Sequence, residues 1–327
     1  MSFKQHVLIT GGAGFIGSHL CEAFLQKGVA VTCVDSLVTG RKSNIADALA
    51  KYGPEKFQFL EWDVSNAIPE DRLSLIKKYG LQGVLHFACP ASPIDFDRIP
   101  DVILKVDSLG TFHTVDLALK HNARYLLAST SEVYGDPLEH PQKETYLGNV
   151  STLGPRACYD EVKRFAEAIV STNIRIRGLN AGIVRIFNTY GPRMRLDDGR
   201  IVPELARQAL SGKPLTIHGD GRQTRSFCYV SDLVDGIIRL FESALKEPVN
   251  CGNPAERTVL EFATELQKIT KSHQPLEHLP ARQDDPRRRC PDITKARTLL
   301  GWEPKVDLAE GLARTVAAFQ AEMTKSV

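Results

Sequence analysis

The sequence predicts an α/β protein built on a doubly wound parallel sheet, with a smaller, interleaved C-terminal lobe that binds substrate. Short apolar runs rich in β-branched residues alternate with segments of helical periodicity. A glycine-rich turn follows the first run and opens the first helix. Beyond residue 188 the alternation weakens, while turns and arginines become frequent. We therefore expect a dinucleotide-binding domain over residues 1–187, with a return segment near 226–250, and a mainly substrate-binding lobe over 188–327.

Composition narrows the class of protein. The chain has 327 residues, 43% of them hydrophobic and 24% charged, with a formal net charge of +2. These values are typical of a globular enzyme and give no reason to expect nucleic acid or a membrane as a partner. Seven cysteines are scattered without metal-ligand spacing, so we expect reduced thiols and no metal. The first strand begins after five residues and no apolar run matches a membrane span, so we expect a cytoplasmic protein.

The first strand, turn and helix predict a dinucleotide site. The run from His6 to Thr10 leads directly into the turn, in which Gly11 permits the tight bend and Gly14 lets a pyrophosphate approach the backbone. Gly17 allows close packing of helix and strand, and the helix N-terminus offers N–H groups to phosphates. The second strand, from residue 30, ends in Asp35, whose carboxylate suits the ribose hydroxyls of NAD. Arg41 lies nearby in the sequence, so NADP is not excluded as the cofactor.

Later strands extend this site. The run 57–62 is followed by Asp63 and Val64 on the adenine side, and the run 81–87 is followed by small residues suited to a dinucleotide. A helix over about 100–121 and a sixth strand over 181–187 complete the alternation. The cofactor-binding residues predicted in this way are Gly11, Gly14, Phe15, Ile16, Gly17, Asp35, Ser36, Asp63, Val64 and Phe87.

The stretch 126–163 carries the candidate chemistry. An apolar strand passes into hydroxyls and a carboxylate at residues 129–132, and Tyr159 and Lys163 follow four residues apart on a helix, hence on one face. A free tyrosine has a pKa of about 10, so lowering it to neutrality takes ~4 kcal/mol of charge stabilisation. The positive charges of the Lys163 ammonium and of a cationic nicotinamide ring have the right sign to stabilise the tyrosinate. A Tyr-Lys pair at this spacing also occurs by chance on surface helices.

Arginines are frequent in the turns of the C-terminal lobe, including Arg200, Arg225 and the run 287–289. Arginines in turns are suited to a bidentate grip on phosphate or carboxylate. A solvated basic surface is the alternative, and for the run 287–289 it applies to two of the three residues. Asp284 and Asp285 indicate a turn that positions Arg289 rather than a metal pair.

Several long stretches together resemble one enzyme family. They are LLASTSEVYGDP (126–137), GPRACYDEVKRFAE (154–167), RIFNTYGPRM (185–194), DDGRIVP (197–203), QTRSFCYVSDLV (223–234), DDPRRRCPDI (284–293) and LLGWEP (299–304). With the glycine turn they are similar to the extended short-chain dehydrogenase/reductases, which have a Rossmann-type fold, and within them to the UDP-glucuronate decarboxylases. The resemblance covers nearly the whole chain.

The resemblance implies a reaction and its residues. NAD would take a hydride from C4 of UDP-glucuronate, the β-keto acid would lose carbon dioxide, and the hydride would return to give UDP-xylose. The implied catalytic residues are Thr130 at the C4 oxygen, Glu132 and Arg289 around C5, Tyr159 as the base, and Lys163, which lowers the pKa of Tyr159. Tyr159 and Lys163 would also bind the cofactor. Lys105, Asn188, Arg200, Arg225 and Arg289 are the implied substrate-binding residues. A homodimer is implied through the helix that carries Tyr159 and the helix over 100–121.

Other functions stay open at this point. A 4,6-dehydratase is disfavoured because Ser131 stands where those relatives carry an aspartic acid. A UDP-glucuronate 4-epimerase is the main alternative, and a non-catalytic NAD-binding scaffold is a third. The chain also departs from the family at three positions. Asp107 is expected to weaken cofactor binding through its charge, Cys89 replaces a serine beside the nicotinamide, and His218 leaves thymidine nucleotides possible.

Overall fold

Fourteen strands are present in the computed structural model, which describes residues 5–280 and 288–325. They are β1 (His6–Thr10), β2 (Ala30–Asp35), β3 (Phe57–Glu61), β4 (Gly83–His86), β5 (Arg124–Thr130), β6 (Ala181–Ile186), β7 (Thr189–Tyr190), β8 (Leu215–His218), β9 (Thr224–Ser226), β10 (Cys228–Tyr229), β11 (Pro248–Cys251), β12 (Glu256–Thr258), β13 (Leu276–Leu279) and β14 (Arg288–Arg289).

Eleven α-helices connect or flank these strands within the same described ranges. They are α1 (Phe15–Gln26), α2 (Ala46–Tyr52), α3 (Ser74–Tyr79), α4 (Pro93–Arg98), α5 (Pro100–Lys120), α6 (Ala157–Arg177), α7 (Ile201–Leu210), α8 (Val230–Glu242), α9 (Val259–Thr270), α10 (Thr294–Leu300) and α11 (Leu308–Lys325). Short 3₁₀ turns occur at Lys42–Ile45, Glu70–Arg72 and Ser131–Tyr134.

Seven of the described strands form one parallel sheet in the order β11-β6-β5-β4-β1-β2-β3. Every residue of β1 and β5 is buried, as expected for strands covered on both faces. On one face α1 and α8 pack together, and the rings of Phe24 and Phe241 meet edge to face with centroids 5.6 Å apart. On the other face α5 and α6 cover a second apolar cluster that includes Val115 and Val170. The predicted doubly wound fold is confirmed.

The seventh strand corrects the predicted count of six. After β6 the chain crosses the lobe, returns through α8 and adds β11 beside β6, where Pro248 pairs with Ile183. The segment is only four residues long and begins with a proline, which suppresses any strand signal. A proline is tolerated because β11 is the edge strand of the described sheet.

Three small sheets lie outside the main one in the described residues. β8 pairs with β13, β7 pairs with β10, and β9 is flanked by β12 and β14. The pairing of β14 with β9 places Arg289 opposite Arg225, although they are far apart in the sequence. This lobe therefore brings two of the predicted arginines side by side. The proposed domain limits at residues 187 and 188 stay a prediction.

Two further expectations concern bulk properties. All seven cysteines are free thiols, as predicted, and five of them are buried. Among the residues described, no helix has both the length and the apolar character that crossing a membrane requires.

Candidate active site

A cavity of about 390 Å³ lies at the carboxyl ends of the central strands, where the smaller lobe faces the sheet. Its lining includes the glycine turn after β1, the loop after β4 and the end of β5. In an open parallel sheet, a crevice forms where the strand order reverses, here between β1 and β4. One continuous space therefore contacts the predicted cofactor residues, the Tyr159–Lys163 pair and the lobe.

The glycine turn has the shape that close approach of a dinucleotide requires. Gly11 has φ of +68°, and a Cβ there would lie 2.6 Å from the carbonyl oxygen of Phe87. A Cβ at Gly17 would lie 2.0 Å from the carbonyl oxygen of Gly11, so α1 packs against the turn at a distance that only glycine allows. Asp35 closes the end of β2, where its carboxylate accepts from the backbone N–H of Ala13 at 2.9 Å. The residues here fit a dinucleotide.

Asp35 is held by the backbone and separated from the nearby cation. Burial raises the pKa of Asp35, while hydrogen bonds from the N–H groups of Leu37, Ala13 and Gly14 oppose the rise. Arg41, which left NADP open in the sequence, is bonded to Glu322 and donates to the carbonyl oxygen of Arg193 at 3.3 Å. The arginine is thus engaged by α11 and the lobe.

Tyr159 and Lys163 lie together on the buried face of α6. The Lys163 ammonium donates to Asp107 Oδ1 at 2.8 Å and to the carbonyl oxygen of Ala128 at 3.0 Å. It lies 5.8 Å from the centroid of the Tyr159 ring, which stacks on Phe96 with centroids 4.9 Å apart. Burial raises the pKa of Tyr159 to about 12, although Lys163 and a hydrogen bond with Thr130 act in the opposite direction. Lys163 therefore lowers the pKa as predicted, but burial outweighs it.

Glu132, which also lines the cavity, is held between two arginines. The side chain of Thr130 accepts from the backbone N–H of Glu132 at 3.3 Å and so caps the 3₁₀ turn after β5. One carboxylate oxygen of Glu132 bonds Arg289 and the other bonds Arg156. Arg289 also donates to the carbonyl oxygen of Gly135 at 3.0 Å, and burial lowers its pKa to about 10. The guanidinium thus stays charged at neutral pH and its charge is compensated.

The predicted residues mostly reach the cavity. All ten residues predicted from the strands and the glycine turn line it, and so do Thr130, Glu132, Tyr159, Lys163, Asn188, Arg200, Arg225 and Arg289. Arg200 is half-buried there against Asp198, with Nη2 and Oδ2 2.8 Å apart. His218 also lines the cavity.

Lys105 is the exception among the predicted site residues. Its side chain is exposed on α5, and it is not among the residues that line the cavity. Residues two apart on a helix point in nearly opposite directions, and Asp107 is the one that faces inward. The structure therefore does not bring Lys105 to the site.

Two contacts of the site were missed by the sequence analysis. Arg156 was quoted in a motif but given no role, although it bonds Glu132 and lies over the Phe96 ring at 5.5 Å. Asp107 was noted only as a departure, and its pairing with Lys163 was not foreseen. A charged residue three positions before the tyrosine is the signal that could have found Arg156. Of the run 287–289, Arg289 is buried and Arg288 exposed, while Arg287, Asp284 and Asp285 lie outside the described residues.

Comparison with known proteins gives matches along nearly the whole chain. The model of a family described as GDP-mannose 4,6 dehydratase matches residues 8–315. UDP-glucuronic acid decarboxylase 1 of Danio rerio is 46% identical over 320 residues, which cover 98% of this chain and 74% of that protein. Among solved structures, the UDP-glucose 4-epimerase of Thermotoga maritima with UDP-glucose has a TM-score of 0.87 at 29% identity, covering 97% of this chain and 99% of that one.

A second solved structure carries both a nucleotide sugar and a cofactor. The UDP-glucuronic acid 4-epimerase of Bacillus cereus, in complex with UDP-glucuronic acid and NAD, has a TM-score of 0.85 at 28% identity. The match covers 97% of this chain and 99% of that one.

The ion pairs of Glu132 give a stability prediction. Glu132→Ala should lower the free energy of unfolding by about 3 kcal/mol, because it leaves the buried Arg289 without its carboxylate. Glu242→Ala is the matched control, since Glu242 of α8 pairs with Lys27 at 2.9 Å on the exposed surface and should contribute under about 1 kcal/mol. Urea unfolding of both variants measures the difference, and equal losses would contradict the assignment.

Proposed function

This chain belongs to the GDP-mannose 4,6 dehydratase family, and we propose that it is a UDP-glucuronate decarboxylase that forms UDP-xylose with a recycled NAD. Support comes from its 46% identity to UDP-glucuronic acid decarboxylase 1 of Danio rerio. The single observation that carries the proposal is the continuous cavity, which connects the glycine turn to Tyr159 and to the Glu132–Arg289 pair.

The cofactor end of the cavity suits NAD. Gly11 and Gly17 allow the tight turn and the close packing of α1. Gly14 lines the cavity, where its lack of a side chain lets a pyrophosphate approach, and Asp35 is placed to accept from the ribose hydroxyls. When bound, NAD supplies reversible acceptance of a hydride from C4 of the sugar. Tyr159 takes the proton of the C4 hydroxyl in our proposal, and Thr130 holds the same oxygen by a hydrogen bond. Lys163 stabilises the ionised Tyr159.

The Glu132 end of the cavity suits the C5 carboxylate. After oxidation at C4 this carboxylate is β to a ketone, which accepts the electron pair as the bond to carbon dioxide breaks. An uncompensated arginine would stabilise the carboxylate in the ground state and oppose its loss. Arg289 is already paired with Glu132, so it can orient the group without holding it as a full ion pair. We therefore assign Arg289 and Glu132 to the steps at C5.

The arginines and the amide of the lobe suit the rest of the nucleotide sugar. Arg200 and Arg225 line the cavity together with Asn188. We propose that these three bind the diphosphate and the sugar, because guanidinium groups bind phosphate in a bidentate manner. A dehydratase reaction is disfavoured, because Ser131 is buried and supplies no acid for a leaving hydroxyl.

The direct test is incubation of the purified protein with UDP-glucuronate and NAD, with the products resolved by mass spectrometry. We expect a UDP-pentose that is lighter by the mass of carbon dioxide. An unchanged mass with altered chromatographic retention would indicate the 4-epimerase instead. Binding of NAD with every UDP-sugar left unchanged would indicate a scaffold.

Tyr159→Phe tests the proposed base. It removes only the hydroxyl and keeps the ring stacked on Phe96, so UDP-glucuronate and NAD should bind as in the unchanged protein. Turnover should fall about 10²–10⁴-fold, the usual contribution of a general base. Calorimetric binding and steady-state rates separate the two effects, and unchanged turnover would exclude Tyr159 as the base.

We also propose a homodimer formed by α5 and α6. Five large apolar side chains are exposed on these two adjacent helices, although side chains of this kind are usually buried: Leu104, Leu109, Phe112, Phe165 and Ile176. The rings of Phe112 and Phe165 lie 6.3 Å apart, edge to face, and join the two helices in one surface. A twofold axis would place this surface against itself as a four-helix contact.

A cytoplasmic location stays a prediction, supported by the free thiols.

Phe112→Asp tests this surface. The substitution puts a charge at the centre of the proposed contact and should convert the dimer to a monomer, because burying an unpaired carboxylate is costly. Leu299→Asp is the matched control, since Leu299 is similarly exposed but lies on α10, and it should stay dimeric. Light scattering after size exclusion gives the masses. A monomeric mass for the unchanged protein would contradict the proposal.

A further inference from the structure

Asp107 lies in a buried polar cluster directly beneath Tyr159. It is fully buried on α5, and its Oδ1 accepts from the Lys163 ammonium of α6 at 2.8 Å. Helices α5 and α6 pack along their length, so this ion pair is enclosed between them. An ion pair in such a place is costly to desolvate, and its partners depend on one another. The pair is therefore a rigid feature of the site.

Asp107 and Lys163 are the charged members of this cluster. His86, at the end of β4, is neutral because burial lowers its pKa to about 4. Cys89, in the loop after β4, is a neutral thiol because burial raises its pKa well above the ordinary value. Burial likewise raises the pKa of Tyr125 on β5, so that its phenol stays protonated. The two opposite charges thus cancel beneath Tyr159.

The groups that face Tyr159 come from several elements. They are Asp107 on α5, Cys89 in the loop after β4, Thr130 at the end of β5, Lys163 on α6 and Arg200 at the start of α7. The Arg200 charge is matched by Asp198, whose Oδ2 lies 2.8 Å from Nη2. Lys163 and Arg200, the two cations in this set, are therefore each paired with a carboxylate.

The geometry also fixes the direction of the ammonium. A lysine ammonium has three N–H donors, and Asp107 and the carbonyl oxygen of Ala128 take two of them. Lys163 lines the cavity, so the third donor is available to a ligand there. Asp107 Oδ2 is buried and has no partner among the described residues, as is also true of His86 Nε2.

We propose that Asp107 is a positioning residue for the Tyr159–Lys163 pair. Its carboxylate holds the Lys163 ammonium against the end of β5 and offsets its charge, so that Lys163 favours ionisation of Tyr159 less than an unpaired ammonium would. Ionisation then requires the further positive charge of an oxidised nicotinamide. This inference rests on the proposed function and assigns to Asp107 a part in it.

The sign of the effect follows from the charges. The negative charge of Asp107 raises the pKa of Tyr159, in addition to the larger effect of burial, and the positive charge of Lys163 lowers it. Burial pulls the pKa of Lys163 down, while Asp107, Cys89 and Tyr159 together raise it above its ordinary value. Removing the Asp107 charge should therefore lower the pKa of Tyr159, because the ammonium is then no longer offset.

Asp107→Asn is the test, because the amide oxygen still accepts from Lys163 while the charge is lost. The ultraviolet absorbance of tyrosinate is titrated for Asp107→Asn and for the unchanged protein, and the same titration of each with Tyr159→Phe added is subtracted. We expect Tyr159 in Asp107→Asn to ionise about one pH unit lower. The acid limb of kcat/KM for UDP-glucuronate should move in the same direction.

Asp116→Asn is the matched control, since it makes the same change on the exposed face of α5 and should shift neither curve. Should Asp107→Asn fail to fold in thermal melts, Asp107→Ser is measured in the same way. An unchanged curve overturns the proposal, and so does a shift to higher pH, which would mean that Lys163 had lost its charge or place. The absorbance titration needs no turnover, so failure of the proposed reaction is recognised separately.

Discussion

The common direction of the strands is the constraint on which the site depends. Because the described strands of the main sheet all run parallel, β1, β4, β5 and β6 end at the same edge. The turn at Gly11, the hydroxyl of Thr130 and the amide of Asn188 therefore meet in one cavity, although they are far apart in the sequence. Helix α6 then only has to pack beside β5 to bring Tyr159 and Lys163 to the same place. Reversing one of these strands would remove its contribution from the edge.

Local patterns made the fold and most of the site predictable. The glycine turn and the six apolar runs are short-range signals, and each has a direct physical cause in φ angles, strand burial or helix periodicity. Strand β11 was missed because four residues beginning with Pro248 carry no such signal, and it forms only because β6 offers an open edge. The family resemblance predicts that Lys105 binds substrate, but it does not say where the side chain points. On α5 the side chain of Lys105 is exposed to solvent, whereas that of Asp107 is buried.

The ion pairs of the site could not be predicted from the sequence. Glu132 bonds Arg156, 24 residues away, and Arg289, 157 residues away, and no local rule connects either arginine to it. Asp107 illustrates the same limit, since its charge alone suggested weaker cofactor binding. The structure compensates that charge with Lys163 at 2.8 Å, so the physical reason for weaker binding is removed. A residue that departs from a family is interpreted safely only once its partner is known.

Compensation of both cations has a chemical consequence for the proposed reaction, which runs in both directions at C4. If Lys163 were uncompensated, the pKa of Tyr159 would be lower, and less of the phenol would be protonated when the C4 oxygen is reduced again. If Arg289 were uncompensated, the substrate carboxylate would be stabilised where it must be lost. In our proposal Asp107 and Glu132 therefore act alike: each keeps a nearby cation in place while limiting its effect on the reacting group. A site built in this way leaves the bound cofactor as the main positive charge that changes during the reaction, so the chemistry is coupled to its oxidation state.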